Sequence, residues 1–161
     1  MSLDALPHFR GGRPEDAPAL WELRTRCVRE LCRSHYPPEV IAAWSASPPP
    51  SHYRALLDSG GGLIAEDATG QLLGYGVFDR AGNEIDALFV NPDCAGRGIG
   101  LRLMGAMEAI ADPARALMLS ASLNAVPFYQ RCGFDALNEE AYAHPSGIAL
   151  ASVRMRKTRA G

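Results

Sequence analysis

The chain has 161 residues, 47% of them hydrophobic and 21% charged, with a formal net charge of −2. That length suits one domain burying about 70% of its unfolded surface, without need of metals or disulfides. The charge balance carries no broad basic face for nucleic acid, and no apolar run is long enough to span a bilayer.

Met1 to Ala5 lack the basic-then-apolar order of a secretory leader. Phe9 to Arg13 reads as a short strand, weakened by Gly11 and Gly12. Asp16 stands where a helix N-cap is wanted, its carboxylate available to a first-turn N–H, and Pro18 is tolerated there. Leu20, Leu23, Cys27, Val28 and Leu31 recur at helical spacing and predict a helix to about Arg33. Pro37 and Pro38 break it. A short helix carrying Val40, Ile41 and Trp44 follows, then a loop at Ser47 to Ser51, then one or two helical turns over Tyr53 to Leu57. Gly62–Glu66, Leu72–Phe78 and Glu84–Val90 read as an antiparallel meander, with turns at Asp67 to Gly70 and Ala81 to Asn83. Ile99 to Ala111 predicts a helix with Ile99, Leu103, Ala106, Met107 and Ile110 on one face. Ala116 to Ser120 is a further strand, and Ala125 to Arg131 a short helix that Gly133 can end. Phe134 onward and Ile148 to Met155 are the last strands, with a turn at Ala143 to Gly147 between them. Arg154, Arg156, Lys157 and Arg159 read as a solvated strand end and tail. The order of elements predicts one mixed α/β sheet with helices on its faces.

The four cysteines form no Cys-x-x-Cys pair. Cys27 and Cys32 fall on the first helix and read as buried free thiols rather than metal ligands. That usage suits a reducing cytoplasmic compartment.

The segment Leu88 to Leu103 carries the chemistry. It runs strand, glycine-rich loop, helix start. First-turn N–H groups and the positive end of the helix dipole attract phosphate, and Gly96, Gly98 and Gly100 let the backbone approach an anion. A plain strand-to-helix turn would use the same glycines. A nucleotide-hydrolase phosphate loop would end in Gly-Lys-Ser/Thr, which Gly100-Leu101-Arg102 does not supply. A dinucleotide site would need G-x-G-x-x-G spacing after a β-α-β strand, and neither is present.

Val90-Asn91-Pro92-x-x-x-Gly96-Arg97-Gly98-Ile99-Gly100-x-x-Leu103 resembles the coenzyme A signature of the GNAT superfamily of N-acetyltransferases. Ser122-x-Asn124-Ala125-x-x-Phe128-Tyr129-x-x-x-Gly133-Phe134 is similar to a later block of the same family. The resemblance runs from about Phe9 to Lys157 and implies that residues 1–161 form a single GNAT domain. The stretch from His35 to Trp44 also looks like a bacterial subgroup of the family. Ala95 departs from the pattern, which often has Gln or Arg there.

The resemblance implies a mostly antiparallel mixed sheet with helices on both faces, in which Glu84–Val90 and Ala116–Ser120 are parallel and splay apart to admit acetyl-CoA. It implies that Leu88, Phe89 and Val90 meet the pantetheine arm, the first and last through their backbone. Amides of the Ala95, Gly96, Arg97, Gly98, Ile99, Gly100 and Leu101 run would hold the pyrophosphate. Asn124 would bond the pantetheine or cap the short helix, and Phe128 and Tyr129 would border the cofactor. Acyl transfer to an amine needs a base for the amine, donors for the oxyanion and an acid for the thiolate. The resemblance implies Tyr129 as acid and Glu84 as base, directly or through water. Asp86 shares Glu84's facing. His35, Tyr36 and Trp44 are candidates for the acceptor pocket. Cys94 and Cys132 are bystanders, because the family transfers directly in a ternary complex without a metal. The expected acceptor is a primary amine of a small molecule or peptide, small molecules being favoured, and the family makes a homodimer an expected assembly. The rival reading is a CoA-binding sensor or partner module without catalysis.

Overall fold

Seven strands form one sheet, in the order β1-β2-β3-β4-β5-β7-β6. The strands are β1 (His8–Gly11), β2 (Gly62–Glu66), β3 (Leu72–Asp79), β4 (Glu84–Val90), β5 (Leu117–Ser122), β6 (Asp135–Ala143) and β7 (Ala149–Lys157). The helices are α1 (Ala17–Leu31), α2 (Pro38–Ser45), α3 (Ser51–Asp58), α4 (Ile99–Ile110) and α5 (Val126–Arg131). The structure is a computed structural model describing residues 6–144 and 147–159. The Met1 to Ala5 reading and part of the turn expected at Ala143 to Gly147 lie outside those residues.

The helices divide between the two faces of the sheet. Leu20, Leu23 and Cys27 of α1 and Tyr53 and Leu57 of α3 cover Ile64, Tyr75, Val77 and Ala87. On the other face Met104 and Met107 of α4 and Tyr129 of α5 cover Phe78, Ile85, Leu117, Leu119 and Ala121. Each large side chain buried this way is worth roughly 1.5–3 kcal/mol. Gly76 lets α4 settle closely on β3: a Cβ there would lie 2.8 Å from Met107 Sδ.

β4 and β5 are parallel neighbours but pair only at Glu84↔Met118 and Ile85↔Leu119. Beyond that point β4 continues against β3 as far as Val90↔Gly74. β5 continues against β7 as far as Ser122↔Ser152. The two halves of the sheet therefore share a base and separate above it.

The base is bolted by two devices. Asn83, 1% exposed, takes a positive φ of 50°. Its Oδ1 accepts from the Asp112 amide at 2.8 Å, and its Nδ2 lies 3.1–3.3 Å from the carbonyls of Asp112, Arg115 and Ala116. Its own carbonyl accepts from the Met118 amide. One turn residue thus ties the start of β4 to the approach to β5. The second device is Arg154 of β7, whose Nη1 and Nη2 donate to Glu84 Oε2 and Oε1 at 2.8 and 3.1 Å.

Three local expectations are corrected. Asp16 does not cap α1: its carboxylate turns back to the Arg13 amide at 2.8 Å and to the Arg10 guanidinium at 3.0 Å, because a 3-10 turn at Pro14–Asp16 precedes the helix. Of the C-terminal basic cluster Arg156 is exposed as expected, but the other three residues are paired. Arg154 clasps Glu84, Lys157 Nζ donates to Glu108 at 3.1 Å, and Arg159 donates to the Glu108 carbonyl. Ala125 lies in a 3-10 turn over Leu123–Ala125, so α5 begins one residue later than expected.

Replacing Asn83 by alanine strands several buried donors and acceptors, each costing about 1–3 kcal/mol. Asn83→Ala is expected to lower the thermal midpoint by roughly 6–12 °C, at about 2–4 °C per kcal/mol for a chain this size. Gly11→Ala, where a Cβ meets nothing within 4 Å, is the control and should change the midpoint by about 2 °C or less. Calorimetric scans of the two variants check this.

Candidate active site

The separation of β4 from β5 opens a cavity of about 1000 Å3. Its walls come from α1 (Trp21, Arg24), the Ser47–Pro50 loop, α3 (His52, Tyr53), the edges of β4 and β5, and the β6–β7 end. Asp86, Leu88 and Phe89 line it from β4, and Tyr129 lines it from α5.

Strand alternation puts Glu84 and Asp86 on the same side, but their surroundings differ. Both Glu84 oxygens are occupied by Arg154. Asp86 stands on the cavity wall with its side chain 30% exposed, and Oδ2 lies 3.6 Å from His52 Nε2. Burial pushes its carboxyl pKa up, and His52 partly opposes that. A base needs a free lone pair and a pKa drawn toward the working pH. Asp86 has a raised pKa and no arginine or lysine partner within 4.0 Å among the described residues, whereas both Glu84 oxygens are paired with Arg154. Glu84, the base that the family resemblance implied, lies on the same cavity wall with both oxygens bonded to Arg154.

Tyr129 is 7% exposed. Its ring packs edge-on against Phe128 and Phe134, with centroids 5.3 and 5.9 Å away. Burial raises the phenol pKa above its ordinary value, so the hydroxyl stays protonated.

The acceptor-pocket candidates separate. Tyr36 and Trp44 line the cavity, and their rings meet edge-on at 5.2 Å. The Tyr36 hydroxyl donates to the Ala151 carbonyl and accepts from the Leu123 amide at 3.0 Å, so Tyr36 presents its ring. His35 is not brought to the cavity. It lies exposed at the end of α1, its Nδ1 2.9 Å from Ser34 Oγ.

At the open end of β4 the glycine loop leads into α4. Gly96 and Gly98 have φ of +84° and +76°, and a Cβ built on either would meet nothing within 4 Å. They serve backbone conformation and approach rather than packing. The amides of Gly96, Arg97 and Gly98 meet no acceptor among the described residues, and Ala95 to Gly98 are exposed. Gly100 has a packing role as well, since a Cβ there would sit 3.2 Å from Phe128 Cζ. The side chain of Ile99 is buried with Leu103 and Cys94, leaving only its backbone for a ligand, and Leu101 is 57% exposed. α1 fixes the loop: Arg26 reaches Asn91 and Asp93 at 3.0 and 2.9 Å, and the Cys27 thiol donates to the Val90 carbonyl at 3.3 Å.

Asn124 makes no helix cap. Its Oδ1 is a buried acceptor that meets no donor among the described residues. Orphaned acceptors of this kind call for a ligand or an ordered donor. Burial pushes the thiols of Cys27 and Cys32 up to about 12 and about 11. Among the described residues no three His, Cys, Asp or Glu side chains gather as a metal site, and no helix is long and apolar enough to cross a membrane.

Residues that the sequence reading missed are Arg24, Trp21, His52 and Tyr53, all on the cavity wall. Helical periodicity marked their segments as core, and only a charged residue beside the apolar stripe, Arg24, was a visible anomaly.

Comparison with known proteins agrees with this geometry. The Acetyltransferase (GNAT) domain family matches residues 32–158. The uncharacterized N-acetyltransferase YafP of Escherichia coli K12 is 28% identical over 132 residues, covering 82% of this chain and 83% of its own. A GCN5-related N-acetyltransferase from Rhodopseudomonas palustris superposes with a TM-score of 0.83 at 28% identity, covering 98% of this chain and 99% of that one. The PaiA N-acetyltransferase of Thermoplasma acidophilum, solved with coenzyme A, shares the fold at a TM-score of 0.73 and 20% identity, covering 95% and 99%.

Asp86 also carries a stability consequence. Its folded pKa is raised, so the folded state holds the proton more tightly than the unfolded one. Its contribution is most favourable below the unfolded carboxylate range and declines as pH climbs through the folded value. Asp86→Asn is therefore expected to melt above the wild type at pH 7, with the gap closing toward pH 3. Equal midpoints across that range would contradict the burial argument.

Proposed function

The chain belongs to the GNAT acetyltransferase family, whose members are acyl-CoA-dependent N-acetyltransferases, and on that premise we propose that it acetylates a primary amine of a small molecule by direct attack. The observation that carries the reading is the split between β4 and β5, with a glycine loop of exposed amides at its open end and Asp86 and Tyr129 on the cavity wall. Acetyl-CoA would supply an activated acyl carbon held as a thioester.

The residues present fit that co-substrate. Amides of Gly96, Arg97 and Gly98, with the first turn of α4 through Ile99, Gly100 and Leu101, would hold the pyrophosphate, since they combine free donors with the helix dipole. The unpaired edge of β4 at Leu88 and Phe89 offers backbone partners to an extended amide-bearing arm, and the orphaned Asn124 Oδ1 offers an acceptor. The Val90 carbonyl already accepts from Cys27, so its part is limited to the remainder of its backbone.

Asp86 would take the proton from the amine, directly or through water. Its raised pKa makes it a stronger base than an ordinary carboxylate. Tyr129 would donate to the departing sulfur, because burial keeps its proton on until the leaving group needs it. Phe128 and Phe134 hold the ring, and Arg154 keeps Glu84 from competing as a base. Tyr36 and Trp44 would bound the acceptor on its apolar side.

Tyr129→Phe is expected to lower kcat by about 10²–10⁴-fold, the usual worth of a positioned acid, with acetyl-CoA affinity within about twofold of wild type. Asp86→Asn should remove the rise of kcat/KM with pH, while Glu84→Gln retains it. Thiol release from acetyl-CoA across a panel of amines, with calorimetry for binding, measures both. Binding of acetyl-CoA without release of CoA to any amine would instead identify a non-catalytic CoA-binding module.

A further inference from the structure

Arg24 is a buried cation without a counter-ion. It is 5% exposed, and among the described residues no carboxylate stands within 4.0 Å of it. Its Cζ lies 4.1 Å from the centroid of the Trp21 ring. Nη2 donates to the Trp44 carbonyl at 3.0 Å and to Ser47 Oγ at 3.1 Å. Nη1 reaches Thr25 Oγ1 only at 3.5 Å, and Nε has no acceptor among the described residues. A ring face, a carbonyl and a hydroxyl orient a guanidinium but do not cancel its charge. Arginine stays protonated in proteins, so the unbalanced charge remains in place, and burial shifts its pKa downward accordingly.

The cavity is polarised. Arg24 is the only arginine or lysine among its described lining residues, and it stands on the α1 wall. Glu84, Asp86 and Glu140 line the strand side, with Glu84 neutralised by Arg154. One end therefore favours a single negative charge and the other an amine. A phosphate dianion would call for a second permanent cation, and the described wall holds no other arginine or lysine.

We propose that the acceptor is a small amino-carboxylate, an amino-acid-type molecule whose carboxylate is received by Arg24 while its amine faces Asp86. This rests on the acetyltransferase reading for the amine half. The anion half stands on Arg24 alone. Trp21, the Trp44 carbonyl and Ser47 pre-set the guanidinium, so little ordering is needed when the carboxylate arrives. A site built to bond a charged group rejects the analogue lacking it strongly.

The test uses matched pairs of N-acetyl amino acids and N-acetyl amino acid amides, the product chemistry with and without the charge. Binding to the full chain in the presence of CoA is read by calorimetry across the common side chains. At least one acid is expected to bind wild type 10-fold or more tightly than its amide. That preference should vanish in Arg24→Met and be reduced but present in Arg24→Lys, which keeps the charge and loses the planar fork. Amides binding as well as acids, no member of the set binding, or a preference surviving intact in Arg24→Lys and Arg24→Met would each overturn the proposal. Thiol release with the free amino acids separates the two readings. Acid-over-amide binding without turnover would sink the enzymatic reading and leave the Arg24 assignment standing. Turnover with uncharged amines at rates equal to their amino-acid counterparts would do the reverse.

Discussion

Backbone N–H and C=O groups are obligatory hydrogen-bonding groups, and β4 and β5 deny them to each other after two residue pairs. That unmade ladder is the constraint on which the rest of the molecule depends. A sheet cannot simply stop pairing in its interior, so the two halves must be held apart at one end and together at the other. Asn83 and the Glu84–Arg154 pair hold the closed end. Above them the two strands face a cavity rather than each other, and a cofactor arm with amide groups would complete what the sheet leaves open.

The same constraint separates two carboxylates that the chain places two residues apart. Glu84 sits at the base, where β7 comes close enough for Arg154 to engage both oxygens. Asp86 sits one step into the opening, where no arginine or lysine among the described residues reaches it and its partner is the His52 imidazole. One is tied into the frame, and the other is left with a raised pKa. Groups held in this way lower the stability of the folded chain and are a common property of functional sites.

α1 links the two ends of the site. Trp21 and Arg24 form one wall of the cavity, while Arg26 and Cys27, a few residues on, hold the loop that follows β4. A helix turns 100° per residue, so adjacent positions serve different neighbours. The buried stripe of Leu20, Leu23 and Cys27 fixes the helix on the sheet, and neighbouring positions carry the cavity wall and the loop contacts.

Much was legible from the order of residues alone. The turn at Ala81 to Asn83 and Pro92 gave β4 its bounds, helical spacing of apolar residues gave α1 and α4, and the glycine loop with the Ser122 to Phe134 block pointed to the GNAT family and its mixed sheet with helices on both faces. These signals are local: a strand alternates and a helix repeats whatever lies across from it, and Gly96 and Gly98 are needed wherever a chain must take a positive φ. What the sequence left open depended on partners far along the chain. Glu84 and Asp86 look equivalent until Arg154, 70 residues away, selects one of them. Asn83 reads as an ordinary turn residue until the Asp112–Ala116 segment is folded against it, and the basic C-terminus reads as solvated until Glu108 and Glu84 are brought to it. Asn124 had two readings, and only the folded chain removes the helix cap. Local propensity sets element type because it acts between near neighbours, whereas charge pairing, burial and the depth of a cavity are properties of which distant segments share a space.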